Sequence, residues 1–266
     1  TYTQAVAVDL SSGTPSIAID VGGDPKEATY VSGSGFTDLV FQYEVETDDE
    51  DTNGITITAP EISLNGGTMT DVNGDVVLSF SMPSTAGVLV DAVAPTVVGA
   101  PTGPIAGSYS DTANSNLDIT VVMSEAVTVD TNGGVNTPTI PLTIGGQFRN
   151  ADYVSGTGTT TLVFRYTITS PTDVFANDTI GVGAIDLAGG TITIQDTAGN
   201  DADLGAYVAP TPTGVLINRT EPTIAVTTPG VLPATSVAGD IIEFTATYTQ
   251  AVAVDLSSGT PSIAID

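Results

Sequence analysis

Carboxylate oxygens are the chemistry this chain carries in quantity. Its 266 residues hold 31 Asp and Glu against four Lys and Arg, with no His and no Cys, for a net charge of −27. Without Cys there is no disulfide, thiolate nucleophile or zinc–sulfur site. Without His the commonest general base and transition-metal ligand is missing. Carboxylates left without counter-cations suit a hard ion, and an all-oxygen ligand set selects Ca²⁺. The plainer readings are that acidity keeps the chain soluble or reflects a halophilic source.

Three places concentrate the oxygens. Asp71-Val72-Asn73-Gly74-Asp75 sets three oxygen side chains at alternate positions with a glycine for the bend. This opens like a D-x-N-x-D calcium loop but lacks its closing Glu, and it reads equally as a hairpin turn. Its counterpart, at residues 196–203, carries Asp196, Asn200, Asp201 and Asp203. The densest run, Asp48-Asp49-Glu50-Asp51, repels itself unless a cation joins Asp48, Asp49 and Asp51; the alternative is a solvated loop. The third place is set by proline. Asp91 stands four residues before Pro95, and Asn218 four before Pro222, with Glu221 added at the second junction only. Calcium held there would lock one domain's end to the next domain's start. Glu125 and Asp118 complete that shell if their strand ends near the junction.

No catalytic constellation accompanies these carboxylates, so the chain reads as a non-enzyme. Paired carboxylates hydrolyse glycosides only in an aromatic-lined cleft, and there is no Trp and few Tyr or Phe. Lys26, Arg149, Arg165 and Arg219 are too few to neutralise phosphates, which excludes nucleic acid as partner. No run of about 20 apolar residues is present to insert in a membrane.

The elements that position these residues follow a period of two. Leu162, Phe164, Tyr166 and Ile168 share one strand face, as do Leu39, Phe41, Tyr43 and Val45. Ile119, Val121 and Met123 face inward, and so do Phe244, Ala246 and Tyr248. Gly, Pro, Asn and Asp interrupt the chain about every ten residues. The fold class expected is all-β: tandem immunoglobulin-like β-sandwiches, seven to nine strands in about 120 residues, arranged as an extended rod.

Residues 1–20 recur unchanged as residues 247–266. Cores tolerate many substitutions, so identity over twenty positions marks a tandem array, of which this chain is a window. An older repeat lies inside. Tyr153-Val154-Ser155-Gly156-Thr157-Gly158 matches Tyr30-Val31-Ser32-Gly33-Ser34-Gly35, and residues 124–130 match 249–255. The expected domains are 1–93, lacking its first strands; 94–220, complete; and 221–266, the opening of the next unit. Pairing of the two partial domains between neighbouring chains is the alternative. Against it, residues 1–20 and 247–266 compete for one place in the sheet. The glycines of the Tyr-Val-Ser-Gly element are expected to form turns, since no helix follows to cradle a phosphate.

Ser124-Glu125-Ala126-Val127-Thr128-Val129-Asp130, the Tyr-Val-Ser-Gly elements and Asp196-Thr197-Ala198-Gly199-Asn200 resemble the tandem bacterial immunoglobulin-like (cadherin-like) repeats of giant RTX-type surface adhesins. The resemblance spans nearly the whole chain. It implies an extracellular extender between an anchoring end and a binding end, often stiffened by calcium. Its partners would be neighbouring repeats of the same polypeptide, or identical chains laterally. The second unit departs from it, with Gln250 in place of Glu125. A self-assembling filament, sheath or surface layer is the alternative function.

Overall fold

The computed structural model describes residues 1–110, 115–134, 136–169, 180–188, 192–217, 223–229, 235–249, 252, 254–257 and 259–262. The described residues are all-β, with no α-helix. Short β-branched runs separated by Gly, Asn and Asp leave no stretch with a helical period.

Residues 1–93 carry β1 (Ala7–Asp9), β2 (Ser16–Val21), β3 (Asp24–Ser32), β4 (Val40–Gln42), β5 (Glu50–Asp51), β6 (Thr56–Ser63), β7 (Thr68–Asp71), β8 (Gly74–Asp75) and β9 (Val90–Asp91). They form a four-stranded sheet of order β4-β3-β2-β6, a three-stranded sheet β1-β7-β8 and the pair β5-β9. Residues 94–217 carry β10 (Gly107–Tyr109), β11 (Asn116–Val129), β12 (Thr139–Ile144), β13 (Gln147–Ser155), β14 (Thr159–Thr167), β15 (Ile180–Val182), β16 (Ile194–Gln195) and β17 (Val215–Ile217). Six of these build one sheet, β15-β12-β13-β14-β11-β16, while β10 and β17 pair in parallel. The last pair is β18 (Ile224–Pro229) with β19 (Phe244–Tyr248).

The buried apolar side chains divide between the two stretches. One cluster runs from Val97 to Ile217 and includes Leu117, Ile119, Val121, Leu162 and Phe164, all 0% exposed. Two smaller clusters lie within residues 1–93, around Val6, Ile62 and Met69 and around Ile19, Val21 and Val90. Several sheets with alternating buried faces are the content of an all-β sandwich.

The internal repeat is visible atom by atom. Tyr30 Oη accepts the Ser34 N–H at 2.7 Å, and Tyr153 Oη accepts the Thr157 N–H at 2.6 Å. Each ring meets a phenylalanine edge-on, Tyr30 against Phe41 at 5.8 Å and Tyr153 against Phe164 at 5.9 Å. The glycines between are turn residues. Gly33 (φ 110°) and Gly156 (φ 119°) occupy left-handed backbone, and a Cβ there would meet a carbonyl oxygen at 2.1 and 2.0 Å.

The inward reading of Phe244, Ala246 and Tyr248 is corrected by the structure. All three are exposed, Phe244 at 39% and Tyr248 at 40%. A face is inward only where another layer covers it, and among the described residues none covers β19.

Candidate metal centre

Of the expected ligands, the structure brings three carboxylates together: Asp91, Glu125 and Asp196, with one oxygen of each within 4.8 Å of the others. They come from three separate segments. Asp91 ends β9, which pairs with β5 so that Glu50 lies directly opposite it. Glu125 sits where the β11–β14 ladder breaks its register between Val122 and Val127. Such a bulge re-aims side chains at a strand's end. The Ser124 N–H donates to Thr96 O at 2.8 Å and the Thr96 N–H to Ser124 Oγ at 2.9 Å, which ties the bulge to the segment entering after Pro95. Asp196 follows β16 and organises its own loop. Its Oδ1 accepts the N–H groups of Ala198, Gly199 and Asn200 at 2.8, 2.7 and 2.9 Å.

Asn200 joins the two sides. Its Nδ2 lies 2.7 Å from Asp196 Oδ2, 3.1 Å from Asp91 O, 3.4 Å from Asp91 Oδ1 and 3.4 Å from Val93 O. An amide NH₂ has two protons for these four oxygens. The surplus of acceptors is the condition a cation relieves.

Electrostatics separate the three acids. Burial pushes Asp196, 4% exposed, upward, but the hydrogen bonds from Asn200, Gly199 and Ala198 prevail and hold it below the ordinary carboxylate range. Glu125 is raised, first by burial and then by the negative charges of Asp196, Asp91 and Glu50. It is a carboxylate facing other carboxylates, with no Lys or Arg paired to it among the described residues. Three carboxylate oxygens this near one another can share one hard cation. The donor set is wholly oxygen, with the Asp91 and Val93 carbonyls beside it, and that donor chemistry suits calcium.

The other expected ligands lie elsewhere. In the dense run the cation is a lysine: Asp49, 5% exposed, pairs with Lys26 Nζ at 3.0 Å and accepts the Tyr43 hydroxyl at 2.5 Å. The Tyr43 bond, ahead of opposing burial and the contributions of Glu46 N–H and Lys26, lowers its pKa. Asp51 turns away to accept the N–H groups of Gly22, Asn53 and Gly54 and is also lowered. Asp48 is exposed on left-handed backbone at φ 69°. Asp71 and Asp75 flank the β7–β8 hairpin, where Asp71 Oδ1 accepts the Asn73 N–H. Asp201 accepts from Gln195 Nε2, and Asp203 from the Gly205 N–H. Asp118 does not reach the junction: Arg165 grips both its oxygens at 2.7 Å in mid-strand. Asn218 and Glu221 lie outside the described residues, as do residues 173–178, the sparser counterpart in the next unit of the dense run at 48–51. Glu50 was not anticipated as a contributor; its signal was membership of the acidic run paired opposite Asp91.

No family model, curated protein or solved structure matches the chain.

Proposed function

We propose that this chain is a structural extender segment of a very long bacterial surface adhesin, built of immunoglobulin-like units in tandem and stiffened by calcium where units meet. The observation that carries the reading is the Asp91–Glu125–Asp196 cluster, which draws its ligands from both sides of Pro95. An ion bound there ties the end of one unit to two loops of the next. The exact repeat of residues 1–20, the charge of −27 and the duplicated Tyr–Gly turn support a repetitive, extracellular rod. The proposed role is mechanical: each unit holds a distal binding domain farther from the cell.

Small-angle scattering of the chain in millimolar calcium and in chelator tests this. The expected result is a longer maximum dimension and a higher melting temperature with calcium. An identical profile in both conditions would leave the acidity to solubility and remove the metal from the proposal.

A further inference from the structure

No apolar cluster spans the junction between residues 1–93 and 94–217. The one that runs from Val97 to Ile217 stays on one side of Pro95, and those around Val6 and Ile19 stay on the other. Two units without a large apolar interface move against each other by default, and the few contacts that cross between them set the angle. Among the described residues, the hydrogen bonds from one stretch to the other converge on a single side chain, Asn200.

Both sides of that contact are firmly anchored. On its own side, Asn200 donates its N–H to Asp196 Oδ1 at 2.9 Å and accepts the Asp196 N–H on its carbonyl at 3.2 Å. Ala198 and Gly199 donate to the same Oδ1. On the receiving side, Asp91 lies in β9, which is paired with β5. Beyond it the Ala92 N–H donates to Asp49 O at 2.8 Å, and the Asp48 N–H to Ala92 O at 3.1 Å. The Asn200 amide has two protons to spend between these two frames. One serves Asp196 Oδ2 at 2.7 Å. The other reaches across Pro95 to Asp91 O at 3.1 Å, with Asp91 Oδ1 and Val93 O flanking it at 3.4 Å.

The turn itself does not call for an amide at this place. In the matching hairpin, Asp71 Oδ1 accepts the Asn73 N–H as Asp196 Oδ1 accepts that of Ala198, and Asp75 stands where Asn200 stands. A carboxylate closes that turn equally well. Only the amide can donate to a neighbouring carbonyl.

We propose that the Asn200 carboxamide is the clasp that sets the orientation of residues 94–217 on residues 1–93, with one proton given to each side. The clasp is a positioning device of the joint described above and works without an ion. One consequence rests on the calcium reading: the ion and the second amide proton compete for the Asp91 oxygens, so calcium stiffens a joint that Asn200 has already aligned.

The chain has no Cys, so two introduced cysteines carry spin labels without interference. Val31→Cys and Val154→Cys place one label on each side of Pro95, at positions 53% and 47% exposed. Pulsed dipolar spectroscopy in chelator then reads the joint with no ion present. The expected result is one narrow distance distribution for the parent. In Asn200→Ala and in Asn200→Asp, the ratio of that distance to all others should fall about 5-fold, the net worth of one hydrogen bond. A second label pair, Val154→Cys with Thr197→Cys, lies wholly within residues 94–217 and reports the turn. It should not change, because both variants keep the three backbone N–H bonds to Asp196 Oδ1. A broad parent distribution would overturn the proposal, as would variants as narrow as the parent or a turn pair that broadens together with the joint. Calcium should narrow the Asn200→Ala distribution again. Indifference of every protein to calcium would remove the ion from this joint and leave the clasp standing.

Discussion

Glu125→Gln should stabilise the protein in chelator and blunt its response to calcium, two opposite effects from one change of atom. Glu125 faces Asp91 and Asp196 with ligand oxygens within 4.8 Å. At that separation two unit charges repel by about 3.5 kcal/mol at an effective dielectric of 20 and about 0.9 kcal/mol in water. Glu125 is half-exposed, so relief of the repulsion is ~1–2 kcal/mol, a rise of roughly 3–8 °C in the melting of a unit this size. If calcium binds there as proposed, calcium at one hundred times its Kd would stabilise the parent by about 2.7 kcal/mol. Loss of one carboxylate ligand should cut that gain by more than half. The pH dependence has a fixed sign. The folded-state pKa of Glu125 is raised, so its protonated form contributes stability that is fully present below its unfolded value, near ~4.3, and lost as pH rises through the folded value. In chelator, the gap between variant and parent should therefore open at neutral pH and close on acidification. Differential scanning calorimetry across pH, with calcium and with chelator, reads all three quantities. A variant less stable than the parent in chelator, or one with an undiminished calcium shift, refutes the electrostatic reasoning.

Three further outcomes are expected. Phe164→Ala removes a fully buried ring and should cost about 3–5 kcal/mol, while Phe41→Ala, whose ring already borders an open groove, should cost roughly 1–2 kcal/mol; urea unfolding compares them. Gly33→Ala and Gly156→Ala each force a Cβ against a carbonyl oxygen at positive φ and should destabilise by at least about 2 kcal/mol, read by thermal melts. Lys26→Met strips Asp49 of its cation; since Asp49 is lowered, its contribution is present above the unfolded pKa and lost as pH falls, so circular dichroism should show acid unfolding of the variant beginning at higher pH than in the parent.

Strand faces were legible because period two is a local property: Leu162, Phe164 and Ile168 are buried where alternation put them. Whether an inward face is covered is not local, and β19 shows it. The junction was legible from proline spacing, which placed Asp91 and Glu125 in one site. Asp196 was legible as a candidate ligand or turn acid of its own loop but not as a neighbour of Glu125, because what turns Glu125 toward it is a register break within β11 that no spacing announces. Charge density misled at Asp48, Asp49 and Asp51. Proximity along the chain says nothing of where carboxylates point, and the cation that settles Asp49 stands on β3. The Asp71-Asn73-Asp75 run holds as a hairpin through its own backbone donors.

The carboxylates at the Pro95 junction have amide counterparts one unit along. Asn218 stands before Pro222 where Asp91 stands before Pro95, and Gln250 takes the position of Glu125. Both replacements keep the shape and discard the charge. If calcium binds as proposed, an array with this period has two kinds of joint in strict alternation, one that locks and unlocks with the ion and one indifferent to it. Withdrawing calcium would then not soften such a fibre evenly. It would divide it into rigid two-unit links separated by loosened hinges, giving a bending length set by the repeat of the gene rather than by the size of a domain.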